Sequence, residues 1–237
     1  MNTIYHQANS RGHANHGWLD SYHTFSFAGY HDPERIHFGA LRVLNDDRIA
    51  GGRGFGMHPH DNMEIITIPL AGDLRHKDSM GNEAVIREGD VQVMSAGTGV
   101  FHSEFNHNSD RESRLLQIWV FPDRKNVTPR YDQITVKEVE KENEFYQILS
   151  PNAGEQGVWI YQHAWFHLGK FTENKSLGYE LKDPQNGLYV FVIAGQAVVA
   201  GNQLNERDGL GLSETGSVKF EVTAGATLLL MEVPMKF

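Results

Sequence analysis

Short runs of alternating or uniformly apolar residues follow one another along most of the chain. Phe38 to Leu44, Glu64 to Leu70, Val91 to Met94, Leu115 to Phe121 and Leu188 to Ile193 all have strand length and strand composition. Turn residues close them, at Ala71-Gly72-Asp73, Met80-Gly81-Asn82, Glu88-Gly89-Asp90 and Asn152-Ala153-Gly154. Few segments carry a helical period. The pattern predicts an all-β protein, a sandwich or barrel with few short helices, and the 24 glycines suit its tight turns.

At 237 residues the chain is long for one β-sandwich. A charged stretch, Lys137 to Glu144, and the loop Leu149 to Gly154 mark a seam within 125–150. This predicts two units, 1–135 and 136–237. The halves share a faint internal likeness. Pro69-Leu70-Ala71-Gly72 matches Val192-Ile193-Ala194-Gly195 as an apolar strand running into a glycine turn, and Glu88-Gly89-Asp90 matches Arg207-Asp208-Gly209. Two tandem antiparallel β-barrels are therefore expected.

Composition narrows the function classes. There is no cysteine, which excludes disulfides, thiolate metal sites and a cysteine nucleophile. No basic-then-apolar leader begins the chain and no apolar run reaches the ~18 residues of a membrane span, so a soluble cytoplasmic protein is expected. A formal net charge of −9 argues against direct nucleic-acid binding, which needs a basic patch.

The chemistry lies in the first half, which holds eleven of the 13 histidines. His58-Pro59-His60 and His102-Ser103-Glu104 each place two donors at strand spacing, where residues two apart share a face. Three imidazoles and a carboxylate suit a divalent transition metal. Glu64 is a competing carboxylate, because it shares parity with His60 if the strand is unbroken. His13, His16 and His23 read as pocket wall or as groups behind the ligands, and His163 and His167 as wall or interface residues. Trp119, Trp159 and Trp165 are expected in cores or on an interdomain face. Gly51 to Gly56 lacks the lysine and following helix of a phosphate loop, and Gly-x-Ser-x-Gly is absent.

Two blocks frame these donors: Gly52, His58, His60, Glu64 and Gly72, then Gly89, Gly97, His102, Glu104 and Asn106. They resemble the two motifs of the cupin superfamily, although the glycine closing the first block is one residue late and Ser95 stands where proline is usual. The flanks narrow the resemblance. Arg11 to Leu19, His23-Thr24-Phe25-Ser26-Phe27, Gly54 to His60, Ser95 to Glu104, Gln117-Ile118-Trp119 and Thr128-Pro129-Arg130-Tyr131 look like the signature of pirins, strongly over residues 1–135.

The resemblance implies a bicupin: two jelly-roll β-barrels face to face, with metal only in the N-terminal one. It implies His58, His60, His102 and Glu104 as ligands, favouring Glu104 over Glu64. Four protein ligands leave up to two positions for substrate and dioxygen on a six-coordinate metal. Iron is the metal the family implies, while nickel, cobalt, manganese, copper or zinc would accept the same donors. The implied activity is that of a quercetin 2,3-dioxygenase, opening a flavonol ring with dioxygen and releasing carbon monoxide, with Glu104 as the base taking the hydroxyl proton. The alternative is an iron-containing, redox-sensitive regulatory protein that binds a protein partner. A monomer is the implied state.

Overall fold

A computed structural model of the chain describes residues 1–237. Its strands in the first half are β1 (Asn2–His6), β2 (Gly12–Asn15), β3 (Leu19–His23), β4 (Leu41–Ile49), β5 (Gly54–His60), β6 (Glu64–Ala71), β7 (Leu74–Asp78), β8 (Glu83–Ile86), β9 (Asp90–Ser95), β10 (Val100–Asn106), β11 (Ser113–Val120) and β12 (Arg130–Thr135). The second half holds β13 (Phe145–Ser150), β14 (Val158–Trp159), β15 (Trp165–Lys170), β16 (Lys175–Glu180), β17 (Asn186–Ala194), β18 (Ala197–Val199), β19 (Asn202–Leu204), β20 (Gly209–Ser213), β21 (Ser217–Val222) and β22 (Thr227–Pro234). Helix is limited to two three-residue 3-10 turns, Ala8–Ser10 and Val136–Glu138. No helix is long and apolar enough to cross a membrane.

Each half is a seven-stranded sheet facing a four-stranded one. The order β12-β9-β6-β11-β4-β3-β2 in the first is echoed by β1-β20-β17-β22-β15-β13-β14 in the second. The smaller sheets, β5-β10-β7-β8 and β16-β21-β18-β19, correspond as well. All pairings between strands are antiparallel except β13 with β14. The duplication read from the sequence falls on equivalent strands: Gly72 ends β6 and Gly195 ends β17, at φ of 71° and 73°. Neither half closes into a continuous hydrogen-bonded barrel, so each is an open jelly-roll sandwich.

One strand crosses the expected division at residue 135. Asn2 to His6 pair with Ser213 to Gly209 on β20, so β1 takes in the second sheet the place that β12 takes in the first. Nothing local in its sequence signals this, because the partner lies some 200 residues away. Strand β4 also runs further than its apolar pattern suggests. The polar run Asn45-Asp46-Asp47 continues the strand to Ile49 because both faces find partners. Asp46 meets Arg11 and Arg207, whereas Asp47 accepts a hydrogen bond from Ser21.

The two large sheets meet through alternate residues. Leu44, Ile66, Ile68, Val93, Leu116 and Ile118 of the first half share one core with Phe166, Tyr189, Phe191, Leu229 and Met231 of the second. At roughly 1.5–3 kcal/mol for each large side chain withdrawn from water, this interface accounts for much of the drive to fold. A second core, including Leu188, Val190, Phe220, Leu228 and Leu230, fills the inside of the second sandwich.

Buried histidines make this fold acid-sensitive. His6 on β1 sits 2.7 Å from the Tyr189 hydroxyl, and burial, helped by the charge of Arg35, brings its pKa down to about 4. Burial brings His167 on β15 down to about 3. The unfolded chain accepts protons near the ordinary value of 6.5, which the native state refuses. Their stabilising contribution is therefore complete above that pH and is lost as pH falls towards 4 and 3. Each such histidine steepens the loss by up to about 1.4 kcal/mol per pH unit. Thermal unfolding between pH 7.5 and 5.0 is expected to show a falling midpoint below about 6.5, with a shallower fall in the H6Q/H167Q variant. Parallel falls in both proteins would place the acid sensitivity in other groups.

Candidate metal centre and its cavity

Strands β5 and β10 pair so that His102 lies opposite His58, and Val100 opposite His60. Alternation then sends Met57 and Phe101 outward, where both are exposed, and the three imidazoles inward. Ring centroids are 4.4 Å apart for His58 and His102, and 4.9 Å for His60 with either partner. One nitrogen from each ring lies within 4.8 Å of the others. Burial, reinforced by the neighbouring imidazoles, lowers His60 to about 4 and His102 to about 3, so both are neutral at physiological pH. Neutral imidazole is the form that ligates metal.

The remaining ring contacts fit a metal. His58 Nδ1 donates to the Gly56 carbonyl at 2.8 Å, so Nε2 is the nitrogen not engaged by the protein. His102 is almost wholly buried, yet neither ring nitrogen has a hydrogen-bond partner. Such orphaned atoms cost about 1–3 kcal/mol unless something completes them.

Glu104 follows His102 across an irregularity in the β5–β10 pairing. Its Oε1 accepts from the Thr67 hydroxyl at 3.2 Å and its Oε2 from Gln117 Nε2 at 2.8 Å. These donors come from β6 and β11, so the large sheet orients a carboxylate carried by the small one. Glu104 and His102 form a second group within 4.8 Å with His76, which lies opposite Glu104 on β7. His102 thus belongs to both groups, His58 and His60 completing one and His76 and Glu104 the other. His76 was not among the sequence candidates. Its Nε2 is 3.0 Å from Asp78 Oδ2 and its buried Nδ1 has no partner. The alternation Leu74, His76, Asp78 is the sequence signal that could have found it.

Glu64 lies on the other side of the sheet. Asn62, at a φ of 44°, turns the chain between β5 and β6, so parity does not carry over from His60. Glu64 instead shares a face with Ile66 and Ile68, towards the second sandwich, and accepts the Ser95 hydroxyl at 2.6 Å. Burial pushes its carboxyl up to about 7, against the pull of the Ser95 hydrogen bond and the Tyr161 backbone.

The candidate metal centre opens onto a cavity of about 640 Å³, within the range of small-molecule sites. His58, His60, Glu104 and Gln117 line one side. His13, His16 and His23 contribute to the wall, with His13 bound to Asp20 at 2.6 Å and His23 to Asn45 at 2.9 Å. Trp119, expected in a core or on an interdomain face, packs against the small cluster of Ile65, Met94, Ala96 and Val100 and also lines this cavity, its ring edge-on to His60 at 5.0 Å. Trp159 lies at the boundary between the halves, 3.9 Å beneath the Arg130 guanidinium, and Trp165 donates to Glu155. His163 lines a separate surface cavity near the C-terminus, and His167 stays inside the second sandwich.

Known proteins share this arrangement. The pirin family profile matches residues 5–120, and that of the quercetinase C-terminal cupin domain matches 147–233. A protein from Escherichia coli named quercetin 2,3-dioxygenase is 39% identical over 228 residues, covering 96% of this chain and 97% of its own. The chain belongs to the pirin family. A pirin-like protein from Caulobacter vibrioides is 36% identical over 222 residues, 93% of this chain and 95% of its own. The crystal structure of the bacterial pirin YhhW from Escherichia coli in complex with nickel(II) superposes with a TM-score of 0.93 at 37% identity, covering 98% of this chain and 99% of that one.

Alanine at His58, His60 or His102 is expected to lower bound metal at least about tenfold in elemental analysis of purified protein. Glu64→Gln is expected to keep the wild-type stoichiometry. Metal loss in that variant would return Glu64 to the ligand set.

Proposed function

We propose that this pirin is a metal-dependent dioxygenase that opens the ring of a flavonol such as quercetin, with metal held by His58, His60, His102 and Glu104. The observation that carries the reading is the position of Glu104. It stands beside the imidazole group, is oriented by Thr67 and Gln117, and faces a cavity of small-molecule size. Relatives named quercetin 2,3-dioxygenase at 39% identity support the substrate class, and the nickel complex of YhhW supports a divalent metal.

When bound, the metal supplies Lewis acidity towards the substrate oxygens and open positions for substrate and dioxygen. The protein supplies positioning and proton chemistry. Glu104 takes the proton of the flavonol 3-hydroxyl while hydrogen bonds to both its oxygens keep the carboxylate from turning away. Deprotonation raises the electron density of the ring that dioxygen attacks, and one ring carbon leaves as carbon monoxide. Trp119 and Phe27, edge-on to each other at 5.4 Å, offer an aromatic wall for a flat substrate.

The regulatory reading has one observation of its own. Met57 and Phe101, each next to a candidate ligand, stand exposed on the outer face of the same strands, where a partner could sense a change at the metal. Oxygen uptake with quercetin by the metal-loaded protein separates the readings, since the regulatory one predicts none, and Glu104→Gln tests the base. With metal content matched by elemental analysis, quercetin turnover is expected to fall about 10²–10⁴-fold, and the anaerobic spectrum of deprotonated flavonol should not appear. Wild-type turnover with metal bound would remove Glu104 from the role of base.

A further inference from the structure

The cavity carries a second carboxylate that the proposed chemistry does not use. Asp47 on β4 lines the cavity although its side chain is almost wholly buried, at 4% exposure. Its Oδ1 accepts the hydroxyl of Ser21, which faces it across the β3–β4 pair. No hydrogen bond reaches the other oxygen, and no cation pairs with the group. Arg11 and Arg207 bind the adjacent Asp46 instead, at 3.1 and 3.6 Å on the opposite face of the strand. Burial pushes the Asp47 carboxyl up to about 7, against the pull of Ser21. Its second oxygen, which no protein donor reaches, opens to the cavity, where a ligand can complete it.

Strand register gives its distance from the reacting end. Asn45 lies directly across from Gln117, the residue that holds Glu104, and Asp47 lies two residues further along on the same face. One strand spacing and two residue rises put Asp47 roughly 8 Å diagonally from Gln117. A two-ring phenol can therefore reach both places at once.

Building on the flavonol reading, we propose that Asp47, braced by Ser21, is a specificity-determining group that accepts a hydrogen bond from a phenolic hydroxyl remote from the metal. The preferred substrate is then polyhydroxylated, with a 3-hydroxy-4-carbonyl unit at the metal end and a hydroxyl donor on another ring. A site built to pair such a hydroxyl discriminates against an analogue without it, because the buried acceptor is left unpaired.

The test compares quercetin with 3-hydroxyflavone, which keeps the metal-end unit and lacks the other hydroxyls. Binding is followed anaerobically by tryptophan quenching in metal-loaded protein, with metal content and thermal midpoint measured alongside. Asp47→Leu is expected to weaken quercetin about tenfold and leave 3-hydroxyflavone unchanged. Asp47→Asn, which keeps an acceptor oxygen, should recover part of the loss, and Ser21→Ala should show a smaller loss for quercetin alone. A structural role would move both ligands together, and that result, or unchanged binding of both, would overturn the assignment. If wild-type protein binds neither flavonol, the flavonol reading itself fails and takes this proposal with it.

Discussion

The large sheet of the first sandwich has to serve two environments through one alternation. Along β6, β9 and β11, one parity supplies Ile66, Ile68, Val93 and Ile118 to the core shared with the second half. The other supplies Thr67, Gln92 and Gln117, which lie in direct register across the three strands, β6 being the middle one. Asn45 and His23 extend this polar row across β4 and β3. A one-residue slip would exchange the two sets, exposing the interface and filling the cavity with aliphatic side chains. The hydrophobic contact between the halves therefore fixes the register that aims Thr67 and Gln117 at Glu104. Stability and site geometry are set by the same pairing.

The second sandwich repeats the topology without the polar row. Its central strands turn Leu188, Val190, Leu228 and Leu230 inward, and β21 presents Val218, Phe220 and Val222 where the equivalent β10 presents His102 and Glu104. Its interior is packed, while that of the first half keeps a cavity of about 640 Å³. A packed duplicate is a suitable support, since it buries the back of the functional sheet and, through β1, receives the N-terminal end of the chain.

Much of the fold, and the facing of the four candidate donors, was legible because both follow from period two. His58 with His60, and His102 with Glu104, keep parity within single strands, so spacing alone placed each pair on one face. Glu64 illustrates the limit of that reasoning. Its parity with His60 counts only if the strand is continuous, and the left-handed turn at Asn62 breaks it. Asp47 was hidden for a different reason. The apolar run stops at Leu44, and the three polar residues after it stay in the strand through tertiary partners on both faces, Ser21 on one and two arginines on the other. The pairing of β1 with β20 is a long-range contact that no local pattern encodes.

His76 shows how the buried charge pattern around the centre is balanced. The small sheet delivers His102 and Glu104 from β10, with His76 and Asp78 beside them on β7, so the imidazole–carboxylate pair of His76 and Asp78 backs the ligand side away from the cavity. With Asp78 also taking backbone donors from Met80 and Asn82, that carboxylate is anchored in its own turn. The fixed Asp78 in turn holds the His76 ring, and its Nδ1 is left facing a space shared with His102. Apolar residues at these positions would pack more cheaply. Their polar identity fits a site in which a cation completes the nitrogens of His102, whereas the equivalent strand of the second sandwich carries Val218, Phe220 and Val222.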